Sequence, residues 1–240
     1  MAETPGLGPQ PAKPDGFSLV ELIAVIAIIA VAASVVVPVA SAAMSKADRA
    51  RCLSKMRSLG TGIGLCSLDN GNEFPRSSHS AGRKNEISWQ FKIYTYLGEP
   101  EVFGPVPWAN VFNRHFRCPA DPATDFNIPS YAMNVFFELS AEADSGDSYA
   151  GSPTTWRKAA SVPRPARTVL LAEPRATENG DHFMCHEWSS LNAARNAVAW
   201  DRHSKKSNYL FVDGHVESLR VEDTFDPAQG VNLWNPSLAK

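Results

Sequence analysis

The sequence predicts an α+β protein in which a long N-terminal helix, membrane-spanning over its first half, packs on a small antiparallel-sheet domain. Three observations predict it. Residues 17–44 form an apolar run with a single charge, residues 46–68 repeat apolar side chains at helical spacing, and beyond Pro75 short β-prone and helical runs alternate with prolines. With 240 residues, 44% hydrophobic and 20% charged, the chain suffices for one globular domain plus an extra element. The formal net charge of −2 lends no support to nucleic-acid binding, which draws on clustered Lys and Arg.

Residues 1–16, MAETPGLGPQPAKPDG, are rich in proline and glycine with almost nothing apolar, and read as a flexible leader. From Leu22 to Met44 the apolar run is long enough to cross about 30 Å of hydrocarbon as a helix. The amphipathic half, 45–70, places Ala50, Leu53, Met56, Leu59 and Ile63 on one stripe and stops at Asp69-Asn70-Gly71. Gly60, Gly62 and Gly64 weaken its end. Residues 71–240 form the α+β domain. Within it, 86–97 reads as a short helix with Trp89, Ile93 and Leu97 inward, and 167–172 as a buried strand. Runs 208–212 and 215–219 flank Asp213-Gly214, which predicts a C-terminal hairpin over 207–220 with a two-residue type I′ turn.

Gly16-Phe17-Ser18-Leu19-Val20-Glu21, followed by the apolar run, resembles the processing site of type IV prepilins and type II secretion pseudopilins. A polar leader ends in Gly, Phe follows, Glu stands fifth after the cut, and Pro38 lies where that family carries a helix-bending proline. The resemblance implies that a prepilin peptidase cleaves between Gly16 and Phe17 and methylates the new Phe17 amine. It further implies a structural subunit of a type II pseudopilus or type IV pilus-like filament. Such a subunit is a single-pass protein of the bacterial inner membrane with its C-terminal domain extracytoplasmic, in the periplasm. Its partners are the peptidase, other copies, other pilin-like subunits and the inner-membrane assembly machinery.

Other segments resemble the same group. Leu68-Asp69-Asn70-Gly71-Asn72-Glu73-Phe74-Pro75 is similar to the helix exit of G-type pseudopilins. His203 followed by Asp213-Gly214 resembles the H-x9-DG segment of many prepilin-like proteins, and Arg117-Cys118-Pro119-Ala120-Asp121-Pro122 and Ser130-Tyr131-Ala132-Met133-Asn134 fit the same set. G-type pseudopilins bind calcium in a loop of the C-terminal domain. Here Asp144 and Asp147 form the densest group of oxygen donors, with Asp121, Asp125, Asp181 and Asp213 elsewhere, and none makes an EF-hand loop. His203 and Asp213-Gly214 also have purely structural readings, as a hydrogen bond to the hairpin or a loop carbonyl and as the turn itself.

A carboxylate inside an apolar helix costs about 2.5–3.5 kcal/mol even on the lenient insertion scale, so Glu21 needs a partner. The amine of Phe17 in a neighbouring subunit is the natural one, because a helix N-terminus already favours negative charge. Pro38 removes a backbone donor and predicts a kink or local melting near Ser34. Charge placement argues the other way on topology. Lys46, Arg49, Arg51, Lys55 and Arg57 follow the span while Lys13 stands nearly alone before it, which by the positive-inside rule puts the domain in the cytoplasm.

Two alternatives stay open: a single-pass membrane-anchored binding or metal protein, and a secreted one cleaved after Ala40-Ser41-Ala42. An ordinary anchor gives no reason for Glu21, and a signal peptide would have too long an apolar region. Cys52 and Cys66 sit roughly 21 Å apart along one helix and cannot pair. That leaves Cys118 with Cys185 as the intramolecular pairing open to the chain if the domain is extracytoplasmic. His182 and His186 with Cys185 between them, joined by His203, His215 and Asp213, would make a zinc set, but the H-E-x-x-H order is absent. No G-x-S-x-G, P-loop or dinucleotide fingerprint occurs, so neither catalysis nor a cofactor other than calcium is expected.

Overall fold

A computed structural model describes residues 17–101, 104–123, 125, 128–139, 156–175 and 180–240. The chain separates into two compact units, one ending at Met44 and the other beginning at Ser45. Helix α1, Leu19–Asp69, contributes its first half to one and its second half to the other. The fold class is α+β, as the sequence predicts.

In the first unit α1 buries nothing, and Leu19, Ile28, Val31, Val37 and Val39 are all exposed. Among the described residues it is the one helix long and apolar enough to cross a membrane. The helix opens with a capping box. The Ser18 N–H donates to Glu21 Oε2 at 2.9 Å, and the Glu21 N–H reaches Ser18 Oγ at 3.4 Å. It then runs unbroken through Pro38, so the local melting expected near Ser34 does not occur. One missing donor is tolerated where the turns on both sides keep their own hydrogen bonds, and the Ser34 hydroxyl donates back to the Val31 carbonyl at 2.7 Å.

The second unit is built on a five-stranded sheet. In chain order its strands are β1 (Ala132–Asn134), β2 (Val169–Ala172), β3 (His182–Phe183), β4 (Ser207–Phe211) and β5 (Val216–Leu219). Their spatial order is β3-β1-β2-β4-β5. The pairs β1–β2, β2–β4 and β4–β5 are antiparallel, as expected, and the edge pair β1–β3 is parallel. Leaving β2, the chain reverses and steps across β1 to its far edge, so β3 runs the same way as β1.

Both faces of the sheet are covered, hence the uninterrupted burial of β1, β2 and β4. On one face Met133, Leu170, Leu171 and Leu210 meet the second half of α1. A register shift between Val169 and Leu171 explains why two successive leucines point the same way. The helix stripe that meets them is Cys52, Met56, Leu59, Ile63 and Cys66. Met56, Leu59 and Ile63 are thus on the predicted stripe, whereas Ala50 is exposed and Leu53 only half-buried, and Cys52 and Cys66 complete the contact line. Trp89 and Ile93 of α2 (Trp89–Ile93) are fully buried against the same core, and Leu97 follows in a 3-10 turn at its edge.

The opposite face packs under the C-terminal segment. Trp234 is fully buried among Phe183, Trp188 and Tyr209, and the Asn134 amide donates to the Val169 and Trp234 carbonyls at 2.8 and 2.7 Å. The predicted hairpin is β4–β5, with a different turn. Its loop has three residues, Val212-Asp213-Gly214, closed by Gly214 N–H donating to the Phe211 carbonyl and Phe211 N–H donating to the His215 carbonyl, both 2.9 Å. Only Gly214 takes a positive φ, 92°, while Asp213 Oδ1 accepts from the His215 N–H at 3.1 Å; that side-chain turn replaces the type I′ geometry.

Candidate functional site

Two features hold the chemistry-bearing residues, one in each unit. The first is the start of α1, where Phe17 and Glu21 are both exposed and the Glu21 carboxylate closes the capping box. That role was readable in Ser18-Leu19-Val20-Glu21, an S-x-x-E pattern ahead of an apolar run. It leaves Oε1 available to a further partner. Gly16, on the other side of the predicted cut, lies outside the described residues.

The second is a buried polar cluster between α1 and the sheet in the second unit. Cys52 comes from α1 and Cys118 from the loop after α3 (Pro105–His115); Glu173 immediately follows β2, and His203 precedes β4. All four are buried, and one donor atom from each lies within 4.8 Å of the others. The loop carrying His203 is shaped by two successive non-glycine residues at positive φ, Ser204 (55°) and Lys205 (64°), which return the chain so that His203 N–H reaches the Lys206 carbonyl at 3.0 Å.

Glu173 organises the cluster. Its Oε2 accepts from the Asn208 N–H at 2.7 Å and the Ser207 hydroxyl at 3.2 Å. Its Oε1 therefore faces inward, 2.9 Å from His203 Nε2 and accepting from the Cys52 thiol at 2.9 Å. Cys118 Sγ stands 3.5 Å from His203 Nε2, and Tyr131 Oη is 3.0 Å from Cys52 Sγ. Arg202 lies beside the group, 4.0 Å from Glu173 Oε1 and 3.0 Å from Asp121 Oδ2. Burial alone would lower the His203 pKa, but its contacts with Cys118 and Glu173 outweigh it and hold the imidazole at about 9. Burial would likewise raise Glu173, yet His203 and Arg202 keep its carboxyl below the ordinary value. The Cys52 contact lowers Cys118 to about 7, whereas burial pushes the Cys52 thiol up. The cluster is thus an imidazolium–carboxylate pair flanked by the Cys52 thiol and by a Cys118 sulfur that ionises more readily than an ordinary cysteine.

The sequence motifs converge here only in part. Arg117-Cys118-Pro119-Ala120-Asp121-Pro122, Ser130-Tyr131 and His203 meet, and the Ser130 hydroxyl donates to Asp121 Oδ2 at 2.6 Å. The His203 imidazole bonds a buried carboxylate, while the loop carbonyl of Lys206 is met by its backbone N–H. Cys52, Glu173 and Arg202 were missed. Glu173 had a signal, a lone carboxylate directly after the apolar strand Val169–Ala172.

The remaining expectations fare differently. All four cysteines are free, and the Cys118–Cys185 disulfide is not formed. Cys118 sits in the core beneath α1, whereas Cys185 packs in the core on the opposite face, where its thiol donates to Asn134 Oδ1 at 3.0 Å. His182 and His186 are not on one helix, because His182 belongs to β3 and His186 to a 3-10 turn. His215 pairs with Asp213 inside the hairpin loop. The histidine set considered from spacing is therefore not the group that gathers. Among the calcium candidates, Asp181 accepts from the Ser78 N–H and hydroxyl, and Asp121 serves Arg202 and Ser130. Asp144 and Asp147 lie outside the described residues.

Residues 12–37 match the family model for the prokaryotic N-terminal methylation motif. No curated protein and no solved structure matches the chain. The match spans the predicted cleavage point, Phe17, Glu21 and the first part of the exposed apolar helix, and supports a prepilin-like protein processed at its N-terminus. The apolar helix and the motif together fit membrane anchoring.

Proposed function

We propose that this chain is a non-catalytic structural subunit of a pilin-like filament, either a type II secretion pseudopilus or a type IV pilus-like fibre. The observation that carries the reading is the coincidence of the methylation motif with a helix half that buries none of its apolar surface. Exposed apolar area of that extent needs a lipid or protein environment. The subunit waits in the inner membrane with its C-terminal domain in the periplasm. A prepilin peptidase removes residues 1–16 and methylates Phe17, and assembly machinery then transfers the helix from lipid to a filament core of neighbouring copies and other pilin-like subunits. Glu21 pairs through its free carboxylate oxygen with the Phe17 amine of an adjacent copy, which sets axial register.

Mass spectrometry of the mature N-terminus tests this in a host that possesses the peptidase. An N-methylated Phe17 is expected. An intact Met1, or a chain beginning at Ala43, overturns the reading.

A further inference from the structure

We propose that Cys52, Cys118, Glu173 and His203 form a structural zinc site that staples the second half of α1 to the sheet. Two sulfurs, one imidazole nitrogen and one carboxylate oxygen make a four-ligand set of the kind zinc takes in closed, tetrahedral sites. All four residues are buried and their donor atoms lie within 4.8 Å of one another. Zinc bonds of about 2.0–2.3 Å put tetrahedral donors roughly 3.3–3.8 Å apart, so the group needs only small side-chain adjustments to close on an ion.

The surroundings are those of a supported metal site. Asn208 N–H and the Ser207 hydroxyl hold one oxygen of Glu173 and turn the other inward, and Tyr131 Oη meets Cys52 Sγ. With both thiols ionised and the imidazole neutral, the zinc complex carries one net negative charge, and Arg202, 6% exposed, lies against it. Metal uptake releases the protons that these ligands shed. The two thiolates select zinc over calcium or magnesium, and four protein ligands leave no open position for a substrate, so the ion is structural. Its place in the fold says what it does. The ligands come from four separate segments, and Cys52 is the first fully buried residue of the α1 stripe. An ion there fastens the point where the helix enters the domain, whatever the first half of the helix does.

The test uses the full chain in detergent, reduced and prepared with and without Zn²⁺. About one zinc per chain is expected, with Cys52 and Cys118 protected from alkylation while Cys66 and Cys185 are unaffected by the metal. Co²⁺ should give thiolate charge-transfer absorption, and chelation should lower the melting temperature. Cys118→Ser and His203→Gln should lose stoichiometric zinc, while Cys66→Ala keeps it. Where a cysteine variant fails to fold, Glu173→Gln and the alkylation pattern of the unmutated chain supply the same reading. A folded, reduced chain that takes up neither Zn²⁺ nor Co²⁺ overturns the proposal. So does a Cys52–Cys118 disulfide in the isolated protein, or zinc that leaves both thiols reactive.

Discussion

Gly60 and Gly64 sit four residues apart on one helix, yet their surroundings are opposite. A Cβ on Gly60 would come 2.9 Å from Leu210 Cδ1 and one on Gly62 2.8 Å from Leu97 Cδ2, whereas Gly64 has nothing within 4 Å. The glycines that weaken the helix in sequence thus include two that permit close packing. Gly64→Ala should gain about 0.5–1 kcal/mol from helix propensity. Gly60→Ala pushes on the fully buried Leu210, and overpacking of about 1–3 kcal/mol exceeds that gain. Thermal melts followed by circular dichroism should rank Gly64→Ala above the parent and Gly60→Ala below it. Glu86 supplies a pH dependence. Burial alone would raise its pKa, but Lys92 at 3.3 Å and Arg76 at 3.2 Å outweigh that and lower it. A carboxyl with a depressed folded pKa stabilises above its unfolded value and loses that contribution as pH falls through the folded one. Glu86→Gln should therefore cost about 0.5–1 kcal/mol at pH 7 and nothing once pH lies below the carboxylate range, as denaturant melts at the two pH values would show.

At the scale of elements, the two halves of α1 do different jobs. Its first half offers a continuous apolar surface and its second half a single stripe of Cys52, Met56, Leu59, Ile63 and Cys66. Glu21 belongs to the helix start as well as to any neighbour, because it completes the capping box with Ser18. Glu21→Ala should leave processing at Gly16 intact yet impair incorporation into filaments. Comparing the mature N-terminus with sheared-filament yield separates the two effects, and normal assembly of the variant would refute the ion-pair account. Ser18→Ala sharpens the comparison: it removes the cap, worth about 1 kcal/mol, while keeping the carboxylate. If register rather than capping is what Glu21 supplies, Ser18→Ala should assemble better than Glu21→Ala.

For the whole molecule, the second unit depends on closing both faces of a thin sheet. Helix α1 covers one face, and the C-terminal segment covers the other through Trp234, packed edge-on against Phe183, Trp188 and Tyr209. Trp234→Ala should cost about 3–5 kcal/mol, a large share of the 5–15 kcal/mol typical of a domain, and chemical denaturation of the purified variant would read that loss directly. Features written in contiguous residues are legible without a structure: the apolar helix, the processing motif, the short helix at Trp89–Ile93 and the β4–β5 hairpin. Such features follow from periodicity and turn chemistry, which act over a few residues. Even there the hairpin loop is one residue longer than its local signal, and the helix stripe holds at Met56, Leu59 and Ile63 but begins at Cys52 rather than Ala50 and Leu53, since Asp213's side-chain turn and the burial of cysteine are decided by neighbours. The parallel β1–β3 pair, the separation of Cys118 from Cys185, and the gathering of Cys52, Cys118, Glu173 and His203 emerge from long-range packing. Cys52 and Glu173 stand 121 residues apart and Cys118 and His203 85, so no local pattern encodes their meeting. It arises because burying the α1 stripe on the sheet carries those side chains to one point, where a polar group excluded from water must find a partner.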